Sequence, residues 1–407
     1  MAINWCRFKL VPWTNTTCFR RPQWPYLVIT VKYLMNSCRR LCSSQKSIEA
    51  AIAVAVLAGA ISGPAQSPAQ RPLAAPSSGL INPRAIVFSP STGKVYAVDA
   101  SRGALEIYSN AGKTMHRVPL GSEPVSVAVD TNTGAVYVAN AGDGTVSVLD
   151  GATDAIVATV PIGSHPYSIA ADPATGKVFV THTFGDQLSI LDGATNAVQD
   201  LKTGSSDLIA IDSRSATVYL LGYGGAVKVL NEATRRLNEL AVGRHAWGLT
   251  LDSSSGSVYV TRIEDADVAS LQGSGSSPVI LSAGAIPCAI AIDPANHTLY
   301  VANYGDNSVT AIDARTGRTR ATLPVGDRPK AIAFDPVRNL VFVANTIGNS
   351  VTVIDAEKNS VLATLPAGQS PYALAVVPGS NRLFVANESN DHASTVIDLG
   401  SVLKAGK

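Results

Sequence analysis

Charge is scarce in this 407-residue chain: Asp, Glu, Lys and Arg together make up 15% of it, against about a quarter in ordinary soluble domains. Aromatic residues are also few, at 6%, and there are only three Met. The five cysteines are unevenly placed. Cys6, Cys18, Cys38 and Cys42 lie near the start, and only Cys288 occurs after residue 80. A single thiol excludes an intrachain disulfide framework there, so strand pairing and packing must hold the fold. Cys288 reads as a small buried hydrophobe. Long apolar runs are missing too: Ala50–Ile61 is the extreme case, too short to cross a bilayer core of ~30 Å. There is no G-x-S-x-G elbow, no H-E-x-x-H and no phosphate-binding glycine loop, which removes the common signatures of hydrolases, zinc proteases and nucleotide enzymes.

The small net charge of +2 hides an uneven distribution. Eight basic residues and no acid occur in residues 1–46, and residues 66–407 hold 24 basic against 29 acidic residues. A mildly acidic domain without a basic stripe repels phosphates, which argues against nucleic acid as a partner. Arg39, Arg40 and Lys46, the apolar run Ala50–Ala60 and the small residues after it read as an export signal over 35–65, cleaved between Ala60 and Gln70. No stable membrane span is expected after cleavage, and the secreted, periplasmic or cell-surface compartment is the expected location. Residues 1–34 hold three of the four Trp and no acid; they fit neither a signal nor a domain and read as an over-extended start, with Met35 as the true one. Residues 66–79 form a Pro/Ala/Ser linker.

Glycine (33 residues) and proline (23) are plentiful. From residue 80 to 407 the chain repeats itself. Tyr96, Tyr137, Phe179, Tyr219, Tyr259, Tyr300, Phe342 and Phe384 stand 40 to 42 residues apart, and four of them open an aromatic-Val-Ala-Asn run. A Gly-x-x-Pro junction (Gly121/Pro124, Gly163/Pro166, Gly284/Pro287, Gly326/Pro329, Gly368/Pro371) and strands ending in Leu-Asp or Ile-Asp (Asp150, Asp192, Asp313, Asp355, Asp398) recur in phase. Each unit holds four short runs of period two, separated by Gly, Asn and Asp turns, which is the pattern of antiparallel hairpins. Four strands per forty residues match one blade of an all-β propeller. Units begin near 83, 124, 166, 207, 246, 287, 329 and 371, giving eight blades, with seven as the alternative. The last has three strands, so residues 72–81 are expected to supply the fourth and close the ring.

The aromatic-Val-Ala-Asn strand, the Val-x-Val-Ile-Asp strand and the Gly-x-x-Pro junction together resemble the YVTN β-propeller repeat of YncE-like proteins, over residues 83–399. That resemblance implies a surface or periplasmic propeller, and it would favour seven blades over the eight counted. WD40 repeats are excluded by the missing Trp-Asp, and kelch repeats by the missing glycine pairs.

With the first strand innermost, the junctions between strands four and one and the turns between strands two and three fall on one end of the ring. Propeller ligands gather at such a mouth. His165 and His245 share a register in the four-to-one junctions, and His182 and His392 lie near two-to-three turns. Arg244, Arg262 and Arg328 complete the candidate ligand-binding set, with Glu123, Asp207, Glu264 and Asp327 nearby. The opposite end carries the Asp-Pro turns. No residue qualifies as catalytic, and neither a metal nor a cofactor is expected. These features fit an extracytoplasmic binding or scaffold propeller whose partner is a protein, glycan or small molecule. The alternatives are a lactonase-type propeller hydrolase, or a redox partner holding a metal or haem at the axial mouth.

Overall fold

Period-two runs as short as these cannot bury a face alone, and in the computed structural model they pair into eight antiparallel sheets. It describes residues 85–222, 224–243, 245–272, 277–388, 394–400 and 402. Seven sheets have four strands in sequence order, and the eighth has three among the described residues. Blades 1 to 8 span 86–119, 124–161, 166–202, 208–241, 246–282, 287–324, 329–366 and 371–398. The count of eight expected from the repeats therefore holds. The fourth strand expected from residues 72–81 lies outside the described residues, as do the signal, linker and N-terminal extension.

Position within a blade decides composition. Second strands such as Thr298–Asn303 and Leu340–Asn345 are buried at every residue, because both faces pack against neighbouring blades. They therefore read as continuous apolar runs rather than alternating ones. Fourth strands such as Thr319–Pro324 lie at the rim and are largely exposed. Cores form between blades: Tyr300 of blade 6 packs with Val341 and Ile354 of blade 7. The ring closes in the same way, Phe384 of blade 8 packing with Ala85 and Tyr108 of blade 1. Tyr108 Oη also meets Ser394 Oγ across that seam.

The repeat motifs have mechanical reasons. The strand-two tyrosine reaches the next blade's three-to-four turn: Tyr96 Oη donates to Gly151 O (3.2 Å) and Tyr300 Oη to Ala356 O (3.1 Å). Only a small residue fits there; a Cβ on Gly193 would lie 2.7 Å from Tyr137 Oη. The closing Asn binds its own blade. Asn303 Nδ2 donates to Ser308 Oγ (2.9 Å) and Thr310 Oγ1 (2.8 Å), and its Oδ1 accepts from Gly284 N (3.0 Å). A Cβ at Gly121, Gly284 or Gly326 would come within 2.9 Å of the Asn amide, so the junction glycine and the Asn form one packed unit.

Candidate functional site

Where strand four hands over to strand one, the chain runs inward from the rim and must turn sharply along the axis. Six blades make this turn in the same way. Glu123, His165, His245, Ile286, Arg328 and Ser370 each take a left-handed backbone, φ between 49° and 57°. Each of their carbonyls accepts a hydrogen bond from the residue after strand two (Ala141, Thr183, Ile263, Tyr304, Thr346 or Glu388), at 2.8–3.2 Å. The first strand then opens with a one-residue bulge at Pro124, Pro166, Ala246, Pro287, Pro329 and Pro371. Bulges concentrate at rims and beside functional sites, where they re-aim side chains.

A left-handed backbone costs an L-residue about 1–2 kcal/mol; Gly escapes the cost, and Asn, Asp and His adopt it most readily among the rest. The opposite end obeys that rule. Its one-to-two turns use Gly93, Gly134, Gly176, Gly256, His297 and Asn339, and its three-to-four turns Asp154, Asn196, Gly317 and Asn359, with Ala216 and Arg235 as departures. Of the six junction positions, His165 and His245 carry a tolerant type, whereas Glu123, Ile286, Arg328 and Ser370 do not. The backbone cost is therefore greatest under Ile286, whose β-branched side chain suits this conformation least, and is also borne by Glu123, Arg328 and Ser370.

The candidate residues divide between this surface and the blade interior. His165 and Arg328 are exposed and His245 half-exposed at the junction, with His245 Nδ1 2.8 Å from Glu264 Oε1. His182 and Arg262 occupy the position that Asn fills in other blades, and both are committed inside their own blades. His182 is buried, its Nδ1 bonded to Ser164 O (2.9 Å) and its Nε2 to Ser189 Oγ (2.8 Å). Arg262 forks onto Asp267 through Nε (2.6 Å) and Nη2 (2.5 Å). Arg244 and His392 lie outside the described residues. Among the described residues, no three His, Cys, Asp or Glu side chains come together as a metal site.

Inside the ring an axial channel of about 530 Å³ is walled by first strands, with Ile169, Leu249, Ile290, Ile332 and Leu374 among its lining and no charged side chain. A second cleft of about 680 Å³ opens at the junction end between blades 2 and 3, lined by Glu123, Asp143 and His165. Cys288 is buried, and burial pushes its thiol up to about 12, so it carries no thiolate near neutral pH.

Blade 4 departs from its neighbours. Its first strand pairs without a bulge, and Asp207 stands where blades 2, 3, 6, 7 and 8 have proline and blade 5 has Ala246. Burial pushes the Asp207 carboxyl up to about 6, with Lys228 pulling the other way. At the opposite end Glu232 replaces the small residue of the three-to-four turn, facing blade 3, whose aromatic is Phe179 and has no hydroxyl to receive. Its carboxyl is raised by burial and by Asp172, and Glu232 Oε1 is buried without a hydrogen-bond partner.

Sequence reasoning passed over Trp247, Ile286, Tyr304 and Ile347 at the mouth. Aligning the residue before each junction proline would have found Ile286. Nothing local distinguishes Tyr304 or Trp247 from core aromatics.

A family model described as YncE-like β-propeller matches residues 120–401. Among solved structures, a Kuenenia stuttgartiensis hydrazine synthase chain aligns with a TM-score of 0.55 and 16% identity, covering 80% of this chain and 99% of that one. The dihydro-haem d1 dehydrogenase NirN aligns at 0.65 with 14% identity, covering 79% and 72%. The computationally designed Ika8 protein aligns at 0.64 with 16% identity, covering 78% and 97%. Such identities speak to fold alone. Among proteins with curated descriptions, none matches the sequence.

Proposed function

We propose that this chain, which belongs to the YncE-like β-propeller family, is an extracytoplasmic binding propeller that presents its junction end to a partner. One observation carries the reading: six junction residues keep functional side chains on a left-handed backbone where Gly or Asn would relieve the strain. A scaffold that needed only to turn the chain has no use for His165, His245 or Arg328 there. The shared geometry makes these positions interchangeable mounts. Their side chains vary between blades while the carbonyl beneath each one keeps the same hydrogen bond, as a selective surface on a constant frame requires. The compartment rests on the export signal read over 35–65.

Two measurements test this. Fractionation of the native host should recover the protein outside the cytoplasm with its N-terminus between Ala60 and Gln70; recovery of the uncleaved chain in the cytosol overturns the compartment. Partner capture from that compartment is then compared between wild type, the His165→Ala/His245→Ala/Arg328→Ala variant, and an opposite-end Arg236→Ala/Val337→Ser variant. Loss of the partner in the first variant alone is expected. Loss in the second alone puts function on the Asp-Pro end.

A further inference from the structure

One sector of the junction end is built differently from the rest, and its reading rests on the junction-end function proposed above. The guanidinium of Arg328 lies over the Tyr304 ring, 5.0 Å from its centroid, and its Nη1 donates to Tyr304 O (3.2 Å). The backbone beneath it is tied down as well, Arg328 N donating to Asn307 Oδ1 (2.8 Å) and its carbonyl accepting from Thr346 N (3.0 Å). Two other arginines described at this end are spent on carboxylates: Arg102 pairs with Asp99, and Arg262 with Asp265 and Asp267. Arg328 is exposed and has no carboxylate partner among the described residues. Stacking and the main-chain bonds have already removed much of its freedom, so the rest of its N–H fork is pre-organised for an acceptor.

The surroundings narrow what that acceptor is. Ile286, whose carbonyl takes the Tyr304 N–H, is 39% exposed, and Ile347, next to the residue bonded to the Arg328 carbonyl, is 61% exposed. Two bare isoleucines beside a stacked Tyr–Arg pair form an apolar patch with one cation in it, the composition of a protein-interface hot spot. The carboxylates of Asp306 and Asp327 stand on the same rim, bound to Ala285 N (2.5 Å) and Asn307 Nδ2 (3.1 Å). Their charge repels a polyanion, so a nucleic acid or heavily sulfated glycan is a poor occupant. A single carboxylate on an apolar segment meets less of that repulsion than a polyanion does. We infer that the Ile286–Tyr304–Arg328–Ile347 patch docks a segment of a partner protein that presents a single Asp or Glu flanked by apolar side chains. The carboxylate takes the Arg328 fork in a bidentate pair, and the apolar flanks cover the two isoleucines.

The test uses the purified propeller and an array of 12-residue peptides, each with one central Glu among Leu, Ile and Val, beside copies carrying Gln instead. Glu peptides should bind and Gln copies should bind at least about tenfold more weakly. Arg328→Ala should weaken the Glu peptides about 30-fold, the range of a hot-spot truncation. Arg328→Lys should restore part of that, since an ammonium keeps the charge and loses the fork. An unchanged thermal midpoint of Arg328→Ala establishes that the loss is local. Equal binding of Gln copies, indifference to Arg328→Ala, or no binding by any peptide each overturns the inference. Peptides that survive Arg328→Ala and fail with His165→Ala overturn this patch and leave the junction-end reading standing. Peptides lost only with Val337→Ser at the other end overturn both.

Discussion

The two ends of the ring solve the same backbone problem with different residues. At the Asp-Pro end, turns that need a left-handed residue mostly use Gly, Asn or Asp, and the aspartates cap them. Asp335 Oδ1 accepts from Val337 N (2.9 Å), and Asp293 Oδ1 accepts from Ala295 N (3.0 Å). At the junction end the same backbone carries Glu123, His165, His245, Ile286, Arg328 and Ser370. One end minimises local cost, and the other accepts it. In a repeat protein, function is to be sought at registers where residues ill suited to the backbone recur, such as Glu123, Ile286 and Arg328, rather than at the residues that repeat most faithfully.

The largest expected effect separates the frame beneath the junction end from the side chains presented on it. Gly326→Val drives a branched side chain into the Asn345 amide, which an added Cβ alone would approach to 2.6 Å. Overpacking of this kind should cost about 3 kcal/mol in denaturant unfolding. A loss below ~0.5 kcal/mol would mean the Gly–Asn unit yields freely and the junction is not the rigid mount described.

A reciprocal pair of substitutions tests the comparison directly. Gly176→Ala, at φ 66° in open space, should lose about 1–2 kcal/mol from the left-handed backbone alone. His165→Gly should lose no more than ~0.5 kcal/mol, because relief of the same strain offsets the flexibility that glycine gives the unfolded chain. If His165→Gly destabilises as much as Gly176→Ala, the imidazole is structural and the two ends do not differ.

The smallest effect depends on pH and concerns blade 4, which breaks the pattern at both ends. The carboxyls of Glu232 and Asp207 are raised in the folded protein, so folding disfavours their ionised forms. That cost is present above the folded pKa and disappears as pH falls through it. Asp172 and Asp252, bonded in their turns, are lowered, and Asp313, with Arg320 donating to it, falls to about 2. Their contribution is complete above the unfolded value of about 3.9 and is lost as pH falls through the folded one. Stability should therefore rise from pH 8 to about 5 and decline below about 4. Glu232→Gln should raise it by roughly 1 kcal/mol at pH 8, the scale of one unsatisfied buried polar group, and leave it unchanged at pH 4. Asp207→Asn should act in the same direction, with its transition near pH 6. A gain from Glu232→Gln that persists at pH 4 would point to packing rather than ionisation.

Much of the fold was legible in the sequence. Phased aromatics, the Gly-x-x-Pro junction and the Ile-Asp strand ends established blade number, strand order and which loops share an end, because each is a local signal repeated at one period. The site was legible only in part. His165, His245 and Arg328 stood out as candidates because their junctions recur in one register while their side chains depart from the repeat. His182 and Arg262 share the Asn position and looked equally distinctive. Whether a polar side chain at that position turns inward depends on what the third strand offers it: Ser189 receives His182, and Asp267 receives Arg262.

The blades and their number were written in the chain, since second strands that are apolar on both faces, recurring in phase, can be buried only between neighbouring units. Which side chains remain available was settled by packing between blades. The left-handed turn, the stacking of Arg328 on Tyr304 and the exposure of Ile286 and Ile347 arise between residues of different blades or on backbone geometry. Burial depends on neighbouring blades some forty residues away, and no local pattern encodes a distance to them.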